Sequence, residues 1–395
     1  MDAVIVAAGR TPVGRAFKGS LTEWRPDDLL SHVVTTLVAD LGLDPALVED
    51  LIIGCANPAG EGGFNLARVV SLLAGLSSPG VTVNRYCASS LQSIRMAAHA
   101  IWSEEADVMI AGGVETVSRY GSGMADVDAA RNPRFAAAGE RSAERSGEAA
   151  PVWTPGEGLA DVYIAMGQTA ENVAQLRNVS RAAQDEFALR SQELAVAHQR
   201  NGFFEREIIP LPDGTRADDG PRADTSLERL SALRPVFRPD GTITAGNACP
   251  LNDGAAAVVV MSDAKAKELG LRPRARIVSS AVSALNPEIM GLGPVEASQR
   301  ALARAHLRSS DIDALEINEA FAAQVLPSIE DLEIPLERVN VRGGAIALGH
   351  PFGMTGARIM TTLLHSLEES GGRYGLETMC VGGGQGMAMV VERLD

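Results

Sequence analysis

Short apolar runs alternating with helical-period segments run through most of the chain, a pattern that predicts an α/β fold with sheets covered on both faces. The opening Ala3-Val-Ile-Val, Asp50-Leu-Ile-Ile-Gly-Cys55, Val81-Thr-Val and Asp107-Val-Met-Ile-Ala-Gly-Gly113 read as buried strands. After Tyr86 the pattern changes period: Leu91, Ile94, Ala98 and Ile101 recur at helical spacing, so a helix is expected to start close to Cys87. Farther on, the polar–apolar period predicts one helix over Gln168–Arg200, a turn at Pro210-Leu-Pro-Asp-Gly214, and a helix and last strand over 249–268 around Gly254-Ala-Ala-Ala-Val-Val-Val-Met261.

The apolar script occurs twice. Asp50–Cys55 matches Asp313-Ala-Leu-Glu-Ile-Asn318, and Cys87 matches His350, both at an offset of 263 residues (55 to 318, 87 to 350), which Arg95 and Arg358 also keep. Asp107–Gly113 is echoed by Glu377-Thr-Met-Cys-Val-Gly-Gly383, and Ala3-Val-Ile-Val pairs with Ala275-Arg-Ile-Val-Ser. Matches in the same order predict two copies of one α/β unit, with reactive residues meeting at strand ends between them. Residues 1–118 with 249–268 form the first copy, 269–395 the second, and 119–248 an inserted cover rich in Gly, Ala, Ser and mixed charge.

Composition narrows the classes of function. The 395 residues, 46% apolar and 22% charged, suffice for several cores. A net charge of −15 excludes bulk attraction to nucleic acid or an anionic membrane, so any phosphate site must be local. No apolar stretch reaches membrane-spanning length, and neither end carries a targeting signal, which predicts a cytoplasmic protein. The four cysteines, at 55, 87, 249 and 380, form neither a disulfide scaffold nor a CxxC zinc pattern; reduced thiols and no metal are expected.

Four segments then carry candidate chemistry. At a helix start Cys87 would face unpaired N–H groups that favour thiolate. His350, alone among six histidines in lying outside a helical pattern, stands in the glycine-rich Arg342-Gly-Gly-Ala-Ile-Ala-Leu-Gly-His-Pro-Phe-Gly353. Cys380 ends a short strand before Val381-Gly-Gly-Gly-Gln-Gly386, and Asn318 sits in Glu316-Ile-Asn-Glu-Ala-Phe321. Each alone reads as structural: a buried thiol, a loop histidine, a helix cap. The glycine runs do not fit a dinucleotide or P-loop motif.

Together these segments resemble the thiolase family, the enzymes that cleave or form 3-ketoacyl-coenzyme A. The resemblance covers nearly the whole chain through VNRYCASSLQ, TAGNACPLNDGAAAVVVMS, EIMGLGPVEAS, INEAFAA, GGAIALGHPFGMTGAR and CVGGGQGMA. It implies a five-layered αβαβα fold of two similar halves with an inserted loop domain. It further implies Cys87 as nucleophile, His350 as its base, and Cys380 as the acid and base at the departing and incoming groups. Asn318, through a water, and His350 would hold the enolate oxygen; the N–H groups of Cys87 and Gly382 would hold the tetrahedral oxyanion. Coenzyme A, a substrate with no permanently bound cofactor beside it, maps onto Arg222, Met166, Phe237, Ala245, Cys249, Met290, Ala320 and Phe321.

The implied reaction is 3-ketoacyl-CoA thiolysis of the β-oxidation type, with acetoacetyl-CoA formation by an acetyl-CoA C-acetyltransferase as the alternative. A condensing enzyme of the same superfold would lack Cys380, and a non-catalytic acyl-CoA or lipid carrier would need none of the four polar residues. The VNRxC opening and Ala165, where short-chain biosynthetic relatives carry histidine, favour the degradative reading. Departures fall at Ser90, usually glycine, at Cys249-Pro250, usually Ser-Gly, and at Arg229, often serine. A homodimer or homotetramer, with Leu66–Leu76 at its interface, and a partner enzyme of β-oxidation are the expected assemblies.

Overall fold

The computed structural model describes residues 1–394. Its strands are β1 (Ala3–Arg10), β2 (Gly14–Arg15), β3 (Asp50–Gly54), β4 (Gly80–Val83), β5 (Val108–Thr116), β6 (Asn252–Ser262), β7 (Ala275–Ala284), β8 (Ala314–Ile317), β9 (Tyr374–Val381) and β10 (Gln385–Arg393). Their order is β4-β3-β5-β6-β1-β7-β10-β9-β8, with β2 paired to β6.

Read outward from the middle, the order repeats. In the first half β3 runs parallel to β4 and β5, β5 antiparallel to β6, and β6 antiparallel to β1. In the second, β8 runs parallel to a bridge at Val339 and to β9, β9 antiparallel to β10, and β10 antiparallel to β7. The two sheets join only where Val4 and Ile5 of β1 face Arg276 and Ala275 of β7. This is the duplicated architecture the offsets predicted.

Alternation along the strands separates the layers. Ala256, Val258 and Val260 of β6 and Met387, Met389 and Val391 of β10 face a shared central core, filled by helices Ser89–Trp102 and Thr355–Ser370. Leu91, Ile94 and Ile101 of the first helix are fully buried there, each worth about 1.5–3 kcal/mol. Intervening residues face outer cores: Ala257, Val259 and Met261 pack against helices Pro26–Asp40 and Leu66–Leu73. Ala388 and Val390 pack against Gly293–Ala305 and Ala322–Asp331.

Two expectations need correction. The segment Gln168–Arg200 is two helices, Met166–Leu176 and Arg181–Arg200. Asn178 takes a left-handed conformation, Val179 N–H returns to Ala174 O, and Ser180 caps the second helix through Ala183 N–H. Around 249–268 the order is strand first, β6, then a short helix Asp263–Glu268. Small residues at 254–257 allow the whole Gly254–Met261 run to lie between β1 and β5 as strand.

Buried Arg10 of β1 donates to Asp218 at 2.7 Å and to Glu207 at 3.3 Å, tying the segment 207–218 to the first sheet. Among the described residues no helix is long and apolar enough to cross a membrane.

Candidate active site

Cys87 lies in the single turn Tyr86–Ala88 between β4 and the helix Ser89–Trp102. The turn is closed by its own side chains. Asn84 Oδ1 accepts from Tyr86 N–H at 2.7 Å, while Ser89 Oγ accepts from Arg85 N–H and donates to Tyr86 O. Tyr86 takes a left-handed φ of 44°, which sharpens the change of direction. Ser90, where glycine was the expected family residue, is helical and buried, and its hydroxyl accepts from Ala357 N–H at 2.9 Å.

The expected thiolate is not the favoured form here. Desolvation pushes the Cys87 thiol up to about 11, against the stabilising N–H groups of Gly382 and Cys87 itself, and nearby Glu115 adds to the rise. The donors are the N–H groups of Gly382 and Cys87 and not those of the first turn of the helix, and burial outweighs them.

His350 is 1% exposed and lies between helices Ala345–Leu348 and Thr355–Ser370. Asn252 Oδ1 accepts its backbone N–H at 3.0 Å. Thr355 Oγ1 donates its one proton to Pro351 O, so at 2.6 Å it accepts from His350 Nδ1–H. Nε2 therefore carries the lone pair, and Asn318 Nδ2 donates to it at 3.3 Å. Burial, then the Arg358 charge, lower this imidazole to about 3. Asn318 is not a helix cap: it follows β8, its N–H bonds Thr378 O on β9, and its buried Oδ1 has no protein partner. That free acceptor suits a bound water or a substrate donor.

Cys380 is the last residue but one of β9, two beyond Thr378, and is fully buried; its thiol is pushed well up by desolvation, then by Cys87 and Cys249. Gly382 follows on the loop to β10, where a methyl group would lie 3.5 Å from the Tyr86 ring and 3.8 Å from Met166 Sδ. The second-half loop thus meets the Cys87 turn directly.

Of the residues mapped to coenzyme A, Met166, Phe237, Met290, Ala320 and Phe321 pack in one small cluster with Cys380. The Phe237 and Phe321 rings meet edge to face at 6.3 Å. Cys249 is partly buried, its N–H bonds Ala320 O at 3.0 Å, and desolvation and then the neighbouring Cys87 raise its thiol. Arg222 and Ala245 lie exposed, outside that cluster. Arg229 is paired with exposed Asp224.

Three supporting residues escaped the sequence reading: Thr355, Asn252 and Glu115. Buried Glu115, on β5, accepts from Ala56 N–H at 2.8 Å, Gly353 N–H at 2.9 Å, Asn57 N–H at 3.2 Å and Tyr120 OH at 2.9 Å. It holds the His350 loop against the first half. Only Thr355 left a trace, as a hydroxyl near the helix start after His-Pro-Phe-Gly.

Comparison with known proteins gives this geometry its context. Residues 3–264 match the thiolase N-terminal domain and 271–393 the thiolase C-terminal domain. The beta-ketoadipyl-CoA thiolase of Pseudomonas aeruginosa is 46% identical, covering 100% of this chain and 99% of that protein. A 3-ketoacyl-CoA thiolase of Bacillus subtilis and an acetyl-CoA acetyltransferase of Cupriavidus necator are each 44% identical over 99% of both chains. The crystal structure of the Bacillus anthracis acetyl-CoA acetyltransferase matches with a TM-score of 0.87 at 38% identity, covering 100% of this chain and 99% of that one. Two halves of one design, a cysteine turn facing a glycine loop, and both domain matches agree: the chain belongs to the thiolase family and is an acyltransferase.

Proposed function

We propose that the protein cleaves 3-ketoacyl-CoA with CoA, giving acetyl-CoA and a shortened acyl-CoA through an acyl group on Cys87. The observation that carries this reading is the meeting of the Cys87 turn with the Gly382 loop, with the Cys380 thiol close enough to Cys87 to be raised by it and an imidazole whose Nε2 carries the lone pair, accepting from Asn318 Nδ2.

The sequence of steps follows from those groups. Cys87 Sγ gives its proton to His350 Nε2 and adds to the C3 carbonyl, and the N–H groups of Cys87 and Gly382 stabilise the oxyanion. The C2–C3 bond breaks, its electrons pass to C2 as the acetyl-CoA enolate, and Cys380 protonates that carbon. His350 Nε2–H and a water on Asn318 hold the enolate oxygen. Cys380 thiolate then takes the proton of CoA, the CoA sulfur adds to the acyl carbonyl, and the bond to Cys87 breaks. His350 returns the proton to Cys87.

Residues 119–248 act as the cover over coenzyme A, with Met166, Phe237, Met290, Ala320 and Phe321 against its pantetheine arm and exposed Arg222 toward its phosphates. Ala165 leaves room for an acyl tail beyond acetoacetyl. Acetoacetyl-CoA formation is the second reading, supported by the acetyl-CoA acetyltransferase relative. A graded series of 3-ketoacyl-CoA esters separates the two: turnover should extend beyond acetoacetyl-CoA, and activity confined to acetoacetyl-CoA would overturn the chain-length reading.

A homodimer or dimer of dimers is supported by the outer edge of β4, the last strand of the sheet on that side, and by exposed Val81 on it and exposed Phe64, Leu72 and Leu73.

A further inference from the structure

A polar chain with no part in the steps above links the Cys87 turn to the Gly382 loop. Arg85 Nε donates to Gln92 Oε1 at 2.9 Å, on the helix that follows Cys87. The Arg85 Nη1 crosses to the other half and donates to Gln385 Oε1 at 2.8 Å. Gln385 is used at both ends, for its Nε2 donates to Gly382 O at 3.2 Å.

The cost of this arrangement points to a purpose. Half-buried Arg85 has its basicity lowered by desolvation with no carboxylate to offset it, and its charge also bears on Arg95. At its far end Gly383 and Gly384 take φ of 77° and 79°, a backbone that its own side chains cannot restrain. The Gln385 amide fixes the peptide plane that follows Gly382 and so limits its ψ, and through Cα the freedom of the plane that carries its N–H, in a loop also closed by the Val381–Gln385 pair and by Leu285 N–H to Gly384 O.

We propose that Arg85 and Gln385 are positioning residues, a pair spanning the two halves that holds Gly382 so that its N–H aims at the Cys87 sulfur and at the oxyanion formed there. The kinetic part of the inference rests on the thiolysis reading; the geometric part does not. Both side-chain types matter. A lysine at 85 keeps the charge but cannot serve Gln92 and Gln385 together, and a methionine at 385 keeps the volume but neither accepts from Arg85 nor donates to Gly382.

Arg85→Lys and Gln385→Met, singly and together, are compared with wild type in thiolysis and in alkylation of Cys87 by iodoacetamide at pH 9, followed by the mass of the Cys87 peptide. Glu115, Cys249 and Cys380, the ionisable groups that couple to Cys87, are unaltered in these variants. Each single variant should lower kcat about tenfold, with KM for CoA within about twofold, since a misaimed oxyanion donor acts on the transition state. Each should slow Cys87 alkylation about threefold or more, and the double variant should be no worse than the worse single, as expected of one chain. A lowered melting temperature with kcat and alkylation unchanged would assign the pair a purely structural role and overturn the inference. So would a rise in KM alone. Should wild type show no thiolysis, the functional reading falls, and the alkylation comparison alone decides this one: unchanged rates refute it, slowed rates sustain it.

Discussion

At the scale of single residues, the site is built to keep its charges latent. Cys87, raised to about 11, and His350, lowered to about 3, are both neutral near pH 7, so the free protein holds a thiol and a neutral imidazole. In the proposed reaction, thiolate then forms by proton transfer as the 3-ketoacyl thioester is bound. Alkylation of Cys87 in the free protein should therefore climb about tenfold per pH unit between pH 7 and 10; a plateau from neutral pH would reveal a resting ion pair and contradict this reading. Thr355→Val should free the imidazole to take the other tautomer, lowering kcat roughly tenfold to a hundredfold, whereas Thr355→Ser should retain most activity. Equal kinetics in both variants would remove Thr355 from the account. Cys87 and His350 were legible because their neighbours form recognisable words. Thr355 and Asn252 were not, because a hydrogen-bond partner is chosen by how loops approach in space.

Among the elements, the decisive contact is between the end of β5 and the His350 loop. Glu115 gathers N–H groups from both halves, and a methyl group on Gly353 would collide with Val114 O while one on Gly113 would collide with Gly353 O. Glu115→Ala should leave those N–H groups unsatisfied and cost about 2–4 kcal/mol, seen as a lower denaturant midpoint with loss of activity; an unchanged midpoint would show the loops holding without it. Strand and helix types were largely readable from their periods. The break at Arg177–Ser180 was not, since the apolar period continues through it; yet Asn178 and Ser180 were the available stop and start signals. Ser180→Ala should cost about 1 kcal/mol and leave kcat unchanged, measured by the same denaturant curve.

For the whole molecule, the doubled sheet order explains why four distant segments can converge: equivalent strand ends from two copies open toward each other. The repeat offsets made that visible in the sequence, whereas the single short contact of β1 with β7 that joins the sheets had no sequence signal. Duplication also buries charge. Glu316 and Glu377 stand side by side on β8 and β9 near buried Arg358, and both Glu377 oxygens lack a protein partner. Desolvation raises Glu316 to about 8, and Glu377 likewise rises. The folded state thus binds protons there that the unfolded chain gives up near its ordinary carboxyl value, so this pair's contribution to stability falls as pH rises toward 8. Relative to wild type, Glu377→Gln should gain melting temperature from pH 5 to pH 8; a relative loss over that window would contradict the sign. The central claim is that an acyl group passes through one sulfur. Purified wild type and Cys87→Ala should be given a 3-ketoacyl-CoA, with and without CoA, and their peptides weighed: the account predicts an acyl adduct on Cys87 that CoA discharges, with no adduct and no cleavage in the variant. Cleavage persisting without Cys87, or an adduct on Cys249 or Cys380 instead, would contradict it.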